Sequence, residues 1–322
     1  MMNTKNNKYY QVIDANINRV TEGLRVIEDY ARFISKQKAL TDRLAELRKK
    51  ISQSELDLIN HLLIRDVAQD MRATDIPQKR KDVFSLLKAN FKRVEEGLRV
   101  LEEYTGKSIY NRIRYEIYVL EKEIILTSIK PSLAYGIYLI SDDESILEQG
   151  LVWKVSAIQL RDKVSNKQAI LKKALRLQKK AKQANIPLII NDYLDVALLS
   201  HADGFHSGQD DLDISLIRKL LGPHKLIGRS TQTLEQGIRA QNDGADYIGI
   251  GPILPTPSKS EQQAIGFDYL REAKKYIAIP YVAIGGINFV SMKKIAQYKP
   301  PLVALIRSYK EIPKIQRRYF VK

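Results

Sequence analysis

Cysteine is absent from all 322 residues, which excludes disulfide frameworks, thiolate nucleophiles and cysteine-based zinc or iron–sulfur sites. Histidine is scarce: with four in the chain, carboxylate-bound hard cations are the main metal option. The chain lacks any stretch of about 18 or more uncharged apolar residues, so no membrane span is expected. Its first thirty residues mix Asn, Lys, Asp, Glu and Arg and do not set a charged start before an apolar run, so no export leader is expected either. A cytoplasmic location is the expectation that follows.

Blocks of like charge are missing as well. The net charge is +16, but residues 1–130 carry 25 basic against 19 acidic side chains and residues 131–322 carry 28 against 18, interleaved almost everywhere. The aromatic residues do not alternate with basic ones as a base-stacking platform requires. The basic excess therefore points to small anionic substrates rather than to nucleic acid or a membrane surface.

A chain of this length is expected to hold two cores. The first part carries a duplication: DANINRVTEGLRVIEDY at 14–30 returns as KANFKRVEEGLRVLEEY at 88–104. Two copies 74 residues apart are too few and too widely spaced for a solenoid, so they read as a duplicated helical unit. Val20, Leu24, Ile27 and Ala31 share one helical face, as do Val94, Leu98 and Leu101. Segments 41–63 and 111–129 also carry helical periodicity, with Thr41 placed as an N-cap, and the polar stretch 72–82 containing Pro77 separates the halves. Residues 1–130 are thus expected to form an all-α domain. The repeat offers Asn16, Arg19, Glu22, Arg25 and Glu28, with counterparts Asn90, Arg93, Glu96, Arg99 and Glu102. At i, i+3 and i+6, Arg19, Glu22 and Arg25 can interlock, and Arg or Asn can reach a phosphate; self-packing in a pseudo-symmetric pair or a homo-oligomer suits the same residues. No Gly-rich phosphate loop of the P-loop kind is present.

From residue 131 the pattern changes. Short β-rich runs alternate with helical or loop segments: GIYLIS (136–141), AIQLRD (157–162), PLIIND (187–192), GFHSGQ (204–209), LIGRST (226–231), YIGIGPI (247–253), YVAIGGI (281–287) and LVALIR (302–307). Eight such units predict a C-terminal α/β TIM (β/α)8 barrel over 131–322. In nearly every run the apolar part comes first and polar or glycine residues follow, at the end where barrel active sites are built.

Those ends supply the chemistry. Gln159, Arg161 and Lys163 alternate, so an extended strand brings an amide and two cations to one face, an anion site. Asn191-Asp192 and, one strand on, His206, Gln209, Asp210 and Asp211 place carboxylates on neighbouring loops; Asp192 and Asp211 suit Mg2+ shared with a diphosphate, while Asn-Asp equally suits a cap for the next helix. His206 fits a hydrogen-bonding strand residue better than a zinc ligand. Ser230 and Thr231 end the fifth run, and Thr256, Ser258 and Lys259 sit on a loop whose hydroxyls and ammonium can bracket a phosphate. Gly285 and Gly286 expose backbone N–H groups where barrels often bind phosphate, though tight turns use the same residues.

The ordered set QLRDK, IIND, ADGFHSGQDD, GRST, GADYIGIGPILPTPSK and VAIGGI resembles the thiamine-phosphate synthase (thiamine-phosphate pyrophosphorylase) family across 134–308. The resemblance implies a transferase joining hydroxymethylpyrimidine diphosphate to hydroxyethylthiazole phosphate. It implies that Arg161, Lys163, Asn191 and Lys259 hold the diphosphate with Mg2+ on Asp192 and Asp211. Gln159 would face the pyrimidine, Ser230 would lie beside the reacting centre with Lys163 and Lys259, and Thr256, Ser258, Gly285 and Gly286 would bind the thiazole phosphate. Three departures stand out: Arg307 replaces the family's usual Ser, with Ser308 next to it; YKPP (298–301) replaces a Gly-Ala-Asp lead-in; and Gln232 stands where a related thiazole tautomerase relies on His. Arg307 would then bind the phosphate, or the strand register would shift. The first part resembles a helical domain fused to such synthases and assigned as a hydroxymethylpyrimidine phosphate kinase, which implies ATP as a further substrate. Two other readings stay open: a thiazole tautomerase on the same barrel, and a non-catalytic sensor or scaffold for phosphorylated ligands.

Overall fold

The two copies of the repeat form long helices that pack on each other. The computed structural model describes residues 9–54, 80–257 and 263–320, and divides the chain into Met1–Ile129 and Lys130–Lys322. In the first unit α1 is Tyr10–Asp29, running into a π-helical turn at Tyr30–Ile34; α2 is Lys38–Gln53, α3 Val83–Thr105 and α4 Ser108–Ser128. Val20, Leu24, Ile27, Val94, Leu98 and Leu101 are fully buried, each contributing about 1.5–3 kcal/mol of apolar transfer. The repeat's glycines set how closely α1 and α3 approach. A Cβ on Gly23 would lie 2.8 Å from Val94, and one on Gly97 would lie 2.5 Å from Val20, so each copy's glycine receives the other copy's valine. The two contacts run antiparallel, which makes the pair a pseudo-dyad.

The polar residues of the repeat divide by depth. Asn16 and Asn90 are buried and bond identically, each donating to the carbonyl four residues back (Val12, Leu86) and accepting from Arg19 or Arg93. Glu28 is buried and accepts from Arg48 at 2.8 Å; Glu102 accepts from Asn111 and Arg114. The expected Arg19–Glu22–Arg25 interlock does not form, because Arg19 turns to Asn16 and Arg25 to Glu28 and Asp29. Nor does Thr41 cap its helix: α2 starts a turn earlier, with Gln37 at the N-cap, and the Thr41 hydroxyl donates back to the Gln37 carbonyl. The sequence-predicted helix to residue 63 lies beyond 54 outside the described residues, as does most of 72–82; Asp82 caps α3 through the Ser85 N–H.

In the second unit all eight runs form strands of a closed, wholly parallel barrel in chain order. They are β1 Gly136–Ser141, β2 Ala157–Leu160, β3 Leu188–Asn191, β4 Gly204–Ser207, β5 Leu226–Thr231, β6 Tyr247–Ile250, β7 Tyr281–Ala283 and β8 Leu302–Leu305. The helices between them are α5 Glu144–Val152, α6 Lys167–Ala184, α7 Leu194–Leu199, α8 Ile214–Leu221, α9 Leu234–Asn242, α10 Asp268–Tyr276 and α11 Phe289–Ile295, with α12 Ile312–Tyr319 at the end. Alternation splits each strand between two cores. Ile137, Leu139, Ile158, Leu160, Leu188 and Ile190 face the helices, while Tyr138, Ile140, Ala157, Ile189, Leu226, Tyr247, Val282, Leu302 and Ala304 fill the barrel. Position 228 faces inward by the same alternation and holds glycine, since a Cβ there would collide with the Tyr247 ring and the His206 imidazole.

Candidate active site at the barrel mouth

A cavity of about 340 Å³ opens at the C-terminal ends of the strands. Gln159, Arg161, Lys163, Asn191, Asp192, Ser230, Thr256, Gly285, Gly286 and Arg307 all line it, together with Tyr138, His206, Tyr247 and Ser308. Ser258 and Lys259 lie outside the described residues. Asp211 is not a lining residue: its carboxylate closes a turn by accepting the Gly208 N–H at 2.6 Å, so of the two carboxylates expected together Asp192 alone faces the cavity.

One rim is cationic. Gln159 points inward from β2 and is 2% exposed; the strand ends at Leu160, so Arg161 and Lys163 sit on the loop beyond it. That loop is built by Asp162, which is buried between them. Its carboxylate accepts from the Val164 and Ser165 N–H groups and from Lys173 Nζ at 2.7 Å. Burial pushes this carboxyl up, but Lys173, the Ser165 N–H and hydroxyl and the Val164 N–H together hold it well below the usual carboxylate range. Lys163 pairs with Asp192 at 3.4 Å. Asp192 has φ +62, a left-handed conformation that Asp tolerates better than most residues. The Asn-Asp pair does not cap the next helix: α7 has Tyr193 at its N-cap and no side-chain cap bond.

The opposite rim is made of backbone and hydroxyls. Gly285 (φ +101) and Gly286 (φ +67) follow β7, and a Cβ on either would strike Pro252, Leu254 or Pro255 of the β6 loop. Both left-handed φ and close approach thus require glycine here. Arg307 and Ser308 follow β8, whose register against β1 and β7 is regular, so both reach the cavity without a slip.

Between the rims runs a buried polar line that the sequence did not reveal, apart from His206 as a hydrogen-bonding strand residue. Gln159 Nε2 donates to Tyr138 Oη at 2.9 Å, Tyr138 and Tyr247 hydroxyls are 2.8 Å apart, His206 Nδ1 is 3.0 Å from Tyr247 Oη, and His206 Nε2 is 2.9 Å from Ser230 Oγ. The overlooked signal was parity: Tyr138 and Tyr247 share the inward alternation of Gln159 and Ser230, across from small Gly228 and Gly249. Arg229, on the outward face of β5, was also overlooked; it donates to the Gly208 and Leu212 carbonyls and so pins the loop bearing Asp211.

Residues 137–309 match the family model for thiamine monophosphate synthase, spanning all eight strands and both rims. The chain belongs to the thiamine-phosphate synthase family. Thiamine-phosphate synthases of Thermosynechococcus vestitus and Nostoc sp. are 35% and 36% identical to it, covering 92% and 97% of this chain and 89% and 93% of theirs. A solved thiamine phosphate pyrophosphorylase from Pyrococcus furiosus superposes with a TM-score of 0.53 at 26% identity, covering 60% of this chain and all of that one. Residues 11–123 match a second model, the ThiD2 family, which takes in both copies of the repeat. The chain thus joins a helical part matching one family model to a barrel matching another.

Proposed function

We propose that the barrel, residues 131–322, catalyses the family's transfer. The methylene–oxygen bond of 4-amino-5-hydroxymethyl-2-methylpyrimidine diphosphate breaks, the thiazole nitrogen of hydroxyethylthiazole phosphate forms the new carbon–nitrogen bond, and thiamine phosphate and pyrophosphate leave. The observation that carries this reading is one cavity lined by Arg161, Lys163 and Asn191 on one side and by Thr256, Gly285, Gly286, Arg307 and Ser308 on the other, groups that suit two anions. Two phosphorylated substrates fit such an arrangement. The diphosphate takes the cationic rim, joined by Lys259; Gln159 meets the pyrimidine; the thiazole phosphate takes the glycine rim with Ser258. A route through a dissociating pyrimidine cation needs leaving-group charge offset and water excluded more than it needs a nucleophile, and the site offers fixed cations for the first.

The Asp192 carboxylate suits Mg2+. Among the described residues no three His, Cys, Asp or Glu side chains cluster to hold a metal, so the ion would draw most of its ligands from phosphate and water, as Mg2+ commonly does. Asp192, which faces the cavity, would be the protein's carboxylate ligand, with Asp211 turned away to the Gly208 N–H, and the ion would supply further neutralisation of the departing diphosphate. A tautomerase on this barrel is disfavoured by Gln232, which is not a lining residue, and by Arg161, Lys163 and Asp192 on the cavity wall, which it would not need. The purified chain with Mg2+, pyrimidine diphosphate and thiazole phosphate is expected to form thiamine phosphate; binding of both without turnover would mean a sensor.

For the helical domain, residues 1–130, we propose transfer of the ATP γ-phosphoryl group to hydroxymethylpyrimidine phosphate, with ADP leaving, which would feed the barrel its diphosphate. Its support is the family model and the pair of asparagine-anchored guanidiniums, Arg19 and Arg93, exposed on either side of the dyad. Replacing the diphosphate in the assay with the monophosphate plus ATP tests it: no product from that mixture would leave the helical domain a packing unit.

A further inference from the structure

The polar line across the barrel has a direction. An amide N–H can only donate, and each phenol carries one proton. With Gln159 Nε2 donating to Tyr138, a Tyr138 proton given to Tyr247 leaves the Tyr247 proton for His206 Nδ1. A neutral imidazole that accepts at Nδ1 carries its proton on Nε2, which donates to Ser230 Oγ, 2.9 Å away. The Ser230 proton then points to the cavity that Ser230 lines.

We infer that Tyr138, Tyr247 and His206 are positioning residues: they transmit the donor polarity of the Gln159 amide through four hydrogen bonds, hold His206 as the Nε2–H tautomer, and so fix Ser230 as a donor to the bound substrate. Burial raises the pKa of both phenols, so each keeps the single proton on which the direction depends. Packing holds the line together. Tyr138 and Tyr247 meet edge to face with ring centroids 5.9 Å apart, the His206 ring lies 5.5 Å from Tyr247, and Gly228 leaves the space both rings occupy. The partner of Ser230 is an acceptor atom of the pyrimidine diphosphate. This last point rests on the transferase reading; the tautomer does not.

The tautomer is read by 15N NMR of the full chain labelled at histidine, without substrates, at about pH 8, above the ordinary histidine range. The His206→Gln variant identifies the resonances. The expected result is a protonated Nε2 and an accepting Nδ1, with Tyr247→Phe shifting the populations toward Nδ1–H. A protonated Nδ1 in the unaltered chain would overturn the inference, as would a tautomer unmoved by Tyr247→Phe. In the synthase assay, Tyr247→Phe is expected to lower kcat about tenfold with KM for both substrates within about twofold, and to add nothing on top of Ser230→Ala. Additive losses would mean that Tyr247 acts on packing alone. Failure of the chain to make thiamine phosphate at all would remove the functional reading and leave the tautomer result standing.

Discussion

The helical unit and the barrel both bury polar side chains, and they do so to opposite ends. In the helical unit Asn16 and Asn90 close on the preceding turn and a guanidinium, buried Glu28 on Arg48, and half-buried Glu102 on Asn111 and Arg114. In the barrel one set of inward-facing polar groups passes its bonds along a line, from Gln159 through two tyrosines and His206 to Ser230 at the cavity, while Asp162 and Arg229 close on nearby loops. A helix surface offers neighbours at i±3 and i±4, which satisfies polar groups locally, whereas strands aimed at one axis can satisfy them from strand to strand and, as between Tyr138 and Tyr247, across the barrel. Disturbing one pattern should therefore cost stability, and disturbing the other should cost chemistry.

The sharpest break in that contrast is expected at the cationic rim. Lys163→Ala and Asp192→Asn should each lower synthase turnover by about 10²-fold or more while shifting the unfolding free energy by less than about 1 kcal/mol, because the Lys163 side chain is 58% exposed and Asn tolerates the left-handed backbone at 192. Steady-state kinetics beside urea unfolding checks both; full activity in both variants with saturating Mg2+ would sink the electrostatic reading. Next comes Gly97→Ala, which drives a methyl against Val20: overpacking of about 1–3 kcal/mol set against the roughly 1 kcal/mol that alanine adds to a helix leaves a net loss of up to about 2 kcal/mol in the helical unit, with synthase activity within about twofold. Gly228→Ala in the barrel should cost stability and activity together, since its methyl meets both Tyr247 and His206.

A smaller, pH-dependent effect belongs to Asp162. Its carboxyl is held below the usual range when folded, so it contributes stability that is fully present above the unfolded value of about 3.9 and fades as pH falls through that value toward the folded one. Asp162→Asn should cost about 1–2 kcal/mol near neutral pH and progressively less below about pH 4, measured as urea midpoints across that range. Because Asp162 shapes the loop bearing Arg161 and Lys163, the same variant should raise KM for the diphosphate substrate more than it lowers kcat.

The barrel residues singled out by sequence that line the cavity share one property: each follows the apolar part of a strand or lies within it facing inward. Strand alternation and the rule that barrel sites form at strand C-termini are local regularities, so single-sequence reading reaches them. Thr41 and the Arg19–Glu22–Arg25 interlock went the other way, because a helix start one turn earlier and an unforeseen Asn16 partner decided them. Asp211 was placed by a turn it closes with Gly208, a contact three residues long that periodicity does not register.

Period and order, then, were determined by the sequence alone: a 3.6-residue repeat occurring twice, then eight apolar runs with polar ends, written along the chain before any contact forms. Tertiary structure decided which polar groups meet. Tyr138 and Tyr247 stand 109 residues apart and His206 and Ser230 24 apart, and the barrel's closure brings them within hydrogen-bond reach where water is excluded. A buried donor must then find an acceptor across the axis, so the direction of that line is a property of the closed fold.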